Sequence, residues 1–340
     1  MKTKKIKVGD KYIGGDAPIS VQSMINEKTT EKIIKQILSL EKAGCEIIRV
    51  SVPDLDSAKA LKEIKKAINI PLVADIHFDY KIALEAAKHA DKLRINPGNI
   101  GDEEKVKEVV KAAKDNSIPI RIGVNLGSLE KDIEKKFGLT GEGMFESAKR
   151  HVKILEENDF FDIIVSLKAS NIHKMIVANR LFAKSYSYPI HLGVTEAGSV
   201  FSGTINNALG IGILLEEGIG NTIRVSLSGD PIEEVKAGWQ ILKGMDLRHR
   251  GVNLVACPTC ARADIDVAKI AKEIEEKTSS IVKPIKIAVM GCGVNGPGEA
   301  KEADIGVVGG KDNALFYKNG SIVGKIEKDE VVKKILAELK

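Results

Sequence analysis

An α/β fold, a (β/α)8 TIM barrel followed by a small α+β domain, is predicted by two features of this 340-residue sequence. Short Val/Ile-rich runs alternate regularly with amphipathic helical stretches, and that alternation stops after Met245. IKVGDKYIGG comes first and reads as a hairpin turning at Gly9-Asp10. Eight strand-like runs follow: PISVQSM (18–24), CEIIRVSV (45–52), PLVADIH (71–77), KLRINPG (92–98), IPIRIGVN (118–125), DIIVSLKAS (162–170), PIHLGVTEAG (189–198) and NTIRVSLSG (221–229). The stretches between them, such as TEKIIKQILSLEKAG and DSAKALKEIKKAI, carry apolar residues at three- and four-residue spacing and read as helices. That count suits a closed barrel, with a doubly wound open sheet as the alternative. The barrel domain is expected over residues 1–245 and the second domain over 252–340, where IKIAVMGC, DIGVVGG, ALFYKNG and SIVGKI read as strands with an Asn319-Gly320 hairpin.

Side chains alternate across a strand, so each run has two faces. Ile48 and Val50, Leu93 and Ile95, Ile120 and Ile122, Val165 and Leu167, and Ile223 and Val225 share the face expected under the helices. The opposite face carries Arg49, Arg94, Asn96, Arg121, Asn125, Ser166, Lys168, Arg224 and Ser226. In a barrel that face looks into the lumen, where unpaired cations are costly to desolvate. Asp75 and Glu196, at strand ends, offer partial compensation, and the surplus of positive charge points to an anionic, multiply phosphorylated ligand. His77 reads either as a site residue or as a hydrogen-bonded neighbour of one. The long Gly-punctuated connection LGSLEKDIEKKFGLTGEG is a lid candidate, or a plain insertion. DLRHRGVN reads as a linker with solvated charges, Arg248 among them.

Three of the four cysteines lie in VACPTC and MGCGVNGPGEA: Cys257, Cys260 and Cys292. The two-residue spacing of the first pair suits a single metal centre, and three thiolates leave one ligand position to another group or open. Structural zinc and an iron-sulfur centre both fit this count. Glycines around Cys292, which let backbone N–H groups approach sulfide, and the lack of a nearby histidine favour iron and sulfur. A Cys257–Cys260 disulfide is disfavoured, since no export signal is seen and a cytoplasmic location is expected. Cys45 reads as a buried core residue.

A formal net charge of +5, made of Lys scattered against Glu, and 4% aromatic residues argue against a nucleic-acid binder. No apolar run is long enough for a membrane span. No Gly-rich dinucleotide fingerprint follows the first strand, so the electron carrier implied by an iron-sulfur centre is expected to be external.

The ordered set PISVQSM, LRINPGN, RIGVN, SLKAS, GVTEAG, IRVSLSGDP, CPTCAR and GCGVNGPGE resembles the 4-hydroxy-3-methylbut-2-enyl diphosphate synthase family, in its two-domain bacterial form. The resemblance covers the whole chain. It implies reductive ring opening and dehydration of 2-C-methyl-D-erythritol 2,4-cyclodiphosphate, with a 4Fe-4S cluster on Cys257, Cys260, Cys292 and Glu299. It also implies diphosphate contacts from Arg49, Arg94, Arg121, Asn125, Lys168, Arg224 and Ser226, to which the strand pattern adds Asn96. Glu196 would be the carboxylate facing the substrate, and Glu299 the ligand that yields an iron to it. Flavodoxin or ferredoxin would donate electrons to a homodimer with shared active sites. A zinc-dependent group-transfer barrel and a non-catalytic, phosphate-sensing electron carrier are the rival readings.

Overall fold

The computed structural model describes residues 2–339. It divides into two compact units, Met1–Arg248 and His249–Lys340.

The first unit opens with the hairpin β1 (Ile6–Val8) and β2 (Lys11–Ile13), paired antiparallel, with Gly9 supplying the positive φ of the turn. Parallel strands follow: β3 (Ser20–Met24), β4 (Ile47–Ser51), β5 (Leu72–Asp75), β6 (Lys92–Ile95), β7 (Ile120–Asn125), β8 (Ile163–Lys168), β9 (His191–Leu192) and β10 (Thr222–Ile223). Their order is β8-β7-β6-β5-β4-β3-β10-β9. A parallel bridge between Val165 and Ile190, with the Val165 N–H donating to Pro189 O at 2.9 Å, joins the two ends and closes the barrel. The expected (β/α)8 architecture is therefore present, and the open-sheet alternative is not.

Around it lie α1 (Thr30–Ala43), α2 (Leu55–Ala67), α3 (Tyr80–Ala87), α4 (Pro97–Ile100), α5 (Glu103–Asp115), α6 (Lys131–Phe137), α7 (Gly141–Glu156), α8 (Ile172–Ser185), α9 (Val200–Glu216) and α10 (Pro231–Gly244). Several begin on carboxylate caps: Asp54, Asp102 and Asp230 accept from the backbone N–H groups of Ser57, Lys105 and Ile232. The outward strand residues, from Ile48 and Val50 round to Ile223 and Val225, join the large core beneath these helices. A smaller cluster closes the lower end of the lumen, where Ile6, Val8 and Ile13 of the hairpin meet Ile47, Val73 and Ile164. The hairpin is thus an apolar plug.

Two connections differ from the sequence reading. The lid candidate is not a free loop: it forms a 3-10 turn at Leu126–Ser128 and then α6, tied to α7 by Arg150 Nη1 to Asp132 Oδ1 at 3.0 Å and His151 Nε2 to Glu130 Oε1 at 2.7 Å. Burial alone would raise the Glu130 carboxyl, but the His151 hydrogen bond prevails and brings it down to about 2. Arg248 is not a solvated linker charge either. It grips Glu46 through both Nη atoms at 2.7 and 3.0 Å, donates to Ile19 O at 2.6 Å, and stacks over Trp239.

The second unit contains β11 (Val252–Ala256), α11 (Val267–Thr278), β12 (Ile285–Met290), α12 (Gly296–Lys301), β13 (Ile305–Val308), β14 (Ala314–Lys318), β15 (Ser321–Ile326) and α13 (Val331–Glu338). Its five-stranded sheet is parallel from β11 to β13 and antiparallel from β13 to β15. Asn319 and Gly320, both at positive φ, make the predicted hairpin. No helix among the described residues is long and apolar enough to cross a membrane.

Candidate functional site

The barrel strands deliver their polar faces to one small cavity of about 200 Å3, below the size of most drug-sized ligand pockets and suited to a compact ligand. Its wall comprises Met24 from β3, Arg49 from β4, Asp75 and His77 at the end of β5, Arg94 from β6, Arg121 and Asn125 from β7, Ser166 and Lys168 from β8, Thr195 after β9 and Arg224 after β10. Glycine makes room for two of the cations. A Cβ on Gly123 would run into the Arg94 guanidinium, and one on Gly193 would meet Lys168 Nζ at 2.6 Å. The RIGVN and HLGVT glycines are therefore space-makers for charge.

Asp75 is the hub of the wall. Its carboxylate stands 3.2 Å from Arg94 Nη1, 3.6 Å from Arg49 Nε and 3.6 Å from His77 Nε2. Burial by itself would raise its pKa, yet Arg49, the His77 hydrogen bond, Arg94 and Arg121 outweigh burial and hold it well below the carboxylate range. The second buried carboxylate is Glu234 of α10, 3.5 Å from Arg224 Nη2 and held by the Ser23 hydroxyl at 3.2 Å and the Leu227 N–H at 3.0 Å. Glu196, expected to share this task, is exposed and has no ion pair among the described residues. Its backbone sits at φ +50°, in the left-handed region, directly after the cavity-lining Thr195.

Arg121 and Lys168 have no carboxylate at ion-pair distance among the described residues. Burial first, and then repulsion from neighbouring cations, pushes both well below their ordinary pKa values. Arg49 is brought down to about 10 by burial, with Asp75 opposing. The cavity is a cationic cup whose charge is under-compensated in the free protein.

Two expected ligand contacts do not reach this wall. Asn96 turns away, its Oδ1 accepting the Gly123 N–H at 3.0 Å, and the half-buried Ser226 lies beyond the end of β10. Both sit at or past a strand end, as Asn125 and Arg224 do, so parity alone does not separate residues that line the cavity from those that do not. Conversely, the lumen contains two buried titratable groups the sequence reading passed over. Lys92 and His191 are fully buried, and Lys92 Nζ and both His191 ring nitrogens lack hydrogen-bond partners. Lys92 precedes the expected lumen residue Arg94 by two residues, and that parity was the available signal.

In the second unit the cysteine segments follow neighbouring parallel strands. Cys257 comes directly after β11, and the β12 end leads into Gly291 and Cys292. The Gly291 N–H donates to Cys257 Sγ at 3.1 Å, and Gly291 O accepts from Asp264 N at 2.8 Å. Cys260 is exposed, Cys292 half-buried, and Glu299 exposed in the first turn of α12. Added Cβ atoms on Gly293 and Gly298 would meet open space. Among the described residues no three His, Cys, Asp or Glu side chains are gathered as a ligand set, so the expected quartet Cys257, Cys260, Cys292 and Glu299 shares a region without converging on a point. The donor chemistry nevertheless suits an iron-sulfur group: three unpaired thiols, one already accepting a backbone N–H. Cys45 is buried, its thiol pushed up to about 12 by that burial.

A closed parallel barrel with a cationic lumen, joined to a separate α+β unit bearing three free cysteines, defines a two-domain barrel protein. The chain belongs to the GcpE family. The GcpE TIM-barrel domain matches residues 3–239 and the GcpE protein C-terminal domain matches residues 253–340. Proteins named 4-hydroxy-3-methylbut-2-en-1-yl diphosphate synthase (flavodoxin) are similar over essentially the whole length. The one from Clostridium acetobutylicum is 54% identical over 100% of this chain and 98% of its own. That from Caldanaerobacter subterraneus is 55% identical, covering 99% and 96%, and that from Geobacillus kaustophilus 54%, covering 99% and 91%. Among solved structures, type I 3-dehydroquinate dehydratase from Clostridium difficile (TM-score 0.52, 17% identity, 73% of this chain and 98% of that one) shares the barrel fold. So does phospho-2-dehydro-3-deoxyheptonate aldolase from Thermotoga maritima (TM-score 0.51, 13% identity, 72% and 73%). The zinc-dependent and electron-carrier readings find no support in these relatives.

Proposed function

We propose that this chain is a flavodoxin-dependent iron-sulfur oxidoreductase that opens and dehydrates 2-C-methyl-D-erythritol 2,4-cyclodiphosphate to 4-hydroxy-3-methylbut-2-en-1-yl diphosphate. The observation that carries this is the lumen cup, where Arg49, Arg94, Arg121, Lys168 and Arg224 have, among the described residues, only Asp75 and Glu234 as buried carboxylate partners. A cyclic diphosphate supplies the missing negative charge, and its small rigid ring suits a cavity of about 200 Å3.

The chain's own residues bind and orient. Arg121 and Lys168, without ion pairs, engage the phosphate oxygens most strongly, because each gains a partner it lacks in the free protein. Arg49, Arg94 and Arg224 are held in place by Asp75, Glu234 and Met24, so little side-chain entropy is lost when they bind. Asn125 and Ser166 offer neutral polar atoms along the same wall. Glu196 is the carboxylate we assign to holding a proton for the departing oxygen; its left-handed backbone, maintained at a cost of about 1–3 kcal/mol, supports a positioned role. A 4Fe-4S cluster would be held by Cys257, Cys260, Cys292 and Glu299, and when bound supplies single electrons and a Lewis-acidic iron.

A homodimer with shared active sites is part of this proposal. It is supported by an apolar stripe on α9, where Phe201, Ile205, Leu209 and Ile213 recur at four-residue spacing and are all exposed. A polar diphosphate substrate and a flavodoxin donor suit a cytoplasmic enzyme.

The deciding experiment is turnover of the cyclic diphosphate by anaerobically purified protein with reduced flavodoxin, alongside iron and sulfide analysis. Conversion with about four irons per chain is expected; iron-free protein, or no conversion by iron-loaded protein, would overturn the assignment. Mixing Cys292→Ser and Arg121→Ala chains should restore partial activity if sites are shared.

A further inference from the structure

Beneath the cup, the lumen holds a second polar layer. Lys92 lies two residues before Arg94 on β6, which sets it about 7 Å deeper at the usual strand rise. His191 opens β9, two residues before Gly193 and four before Thr195. Both are fully buried, and among the described residues neither Lys92 Nζ nor either His191 ring nitrogen has a hydrogen-bond partner.

The charged groups around them come from every wall of the lumen. β4 contributes Arg49, β5 Asp75, β6 Arg94, β7 Arg121, β8 Lys168, and Arg224 follows β10, with Glu234 reaching in from α10. The β3 residues Ser20, Gln22 and Met24 have no titratable group, and the plug below is apolar. Asp91, next to Lys92, is occupied with Lys65 and with the Leu72 N–H at 2.7 Å. Asp75 is committed to Arg49 and Arg94, and Glu234 to Arg224. The deep layer therefore meets cations on several sides and, among the described residues, no uncommitted carboxylate.

We propose that this layer is a charge-regulating floor for the substrate site: entry of a diphosphate at the mouth is coupled to proton uptake from solvent by Lys92 and His191. The proposal rests on the reading of the mouth as a diphosphate site. In the free protein a proton on Lys92 is disfavoured by burial and by Arg121 and Arg49. A proton on His191 is disfavoured by burial and then by Lys168, Arg121 and Lys92. A polyanion in the cup offsets the positive field felt by both groups, at a separation shorter than the screening length of physiological salt. The proton leaves a buffer acid and ends on Lys92 Nζ or the His191 imidazole, so the floor becomes fully cationic only beneath a bound anion. Lys92 and His191 are thus positioning residues, acting through the field they present to the groups above. An empty lumen that kept every cation charged would be strongly self-repelling; this one is relieved until its ligand arrives.

The test is isothermal titration of the full-length, cluster-loaded protein with inorganic pyrophosphate at fixed pH, in buffers of differing ionisation enthalpy. The slope of heat against buffer enthalpy gives the protons exchanged. The difference between wild type and Lys92→Met cancels protons exchanged by pyrophosphate itself. Wild type is expected to take up about one more proton per chain than Lys92→Met, with His191→Gln removing a smaller share. Equal proton numbers in wild type and in whichever variants melt cooperatively, with binding intact, would overturn the proposal and leave the diphosphate site standing. Absence of pyrophosphate binding by wild type would overturn both.

Discussion

The guanidinium of Arg49 donates to the Met24 sulfur through both Nε, at 3.1 Å, and Nη2, at 2.6 Å. Arg224 approaches the same sulfur at 3.7 Å, so a thioether is the meeting point of two cations at the centre of the cup. A thioether is a weak, polarisable acceptor that holds the guanidinium groups without neutralising them. A phosphate oxygen displaces it easily. Met24→Leu keeps the volume and removes the acceptor. It should leave stability within about 1.5 kcal/mol and raise KM for the cyclic diphosphate about two- to fivefold, with kcat little changed. Steady-state kinetics and thermal melts check this; an unchanged KM would show that the sulfur does not pre-position the arginines.

Asp75 anchors the opposite side of the cup, and its removal separates structural from functional charge. Asp75→Asn leaves Arg49 and Arg94 buried beside a neutral amide, a loss expected to cost about 3–5 kcal/mol of stability at neutral pH. The sign with pH follows from linkage. The folded carboxyl lies below its unfolded value, so its contribution is fully present above about pH 4 and is lost as pH falls toward the folded value. Denaturant titrations of wild type and variant should therefore converge only in strong acid.

How much of this was legible in the sequence depends on periodicity. Arg49, Arg94, Arg121 and Lys168 could be placed because their strands are long enough for a two-residue period, and Ile48, Leu93, Ile120 and Leu167 mark the other face. Parity weakens at strand ends: Asn125 and Arg224 keep it and line the cavity, whereas Asn96 and Ser226 do not. Lys92 opens its run, KLRINPG, two residues before Arg94 and with the same parity. Glu234 lies in the first turn of a helix beside Glu233, where strand parity gives no signal, although it is 4% exposed and paired with Arg224. Arg248 looked like a linker charge because its partners, Glu46 and Trp239, are far away in sequence. Cysteine spacing identified the thiol region, but how the three thiols converge is a tertiary property that spacing does not contain.

Arg121 is 2% exposed and has no ion pair among the described residues, so its strongest partner is the ligand. Arg121→Met should lower pyrophosphate affinity about 10- to 150-fold, the range for a charge-assisted hydrogen bond, without lowering thermal stability. Asn125→Ala, on the same strand but neutral, should cost less than tenfold. Titration calorimetry on both variants tests the ranking. Equal losses would mean that charge is not what the cup recognises.

Lys92 makes the opposite stability prediction from Asp75, because it is a buried cation without an acceptor. In the unfolded chain it binds a proton up to a pH of about 10.4, whereas in the folded protein burial and the charges of Arg121 and Arg49 drive its pKa well down. Between those two values the unfolded state holds more protons, so this residue makes stability rise with pH and weighs against folding most heavily at and below neutrality. Lys92→Met replaces the amine with an apolar chain of similar length. It should raise Tm by about 2–6 °C near pH 7, and the gain should shrink steadily as the pH approaches about 10. Melting curves for both proteins between these limits check the slope as well as the sign; parallel curves would mean that Lys92 finds an acceptor within the folded lumen.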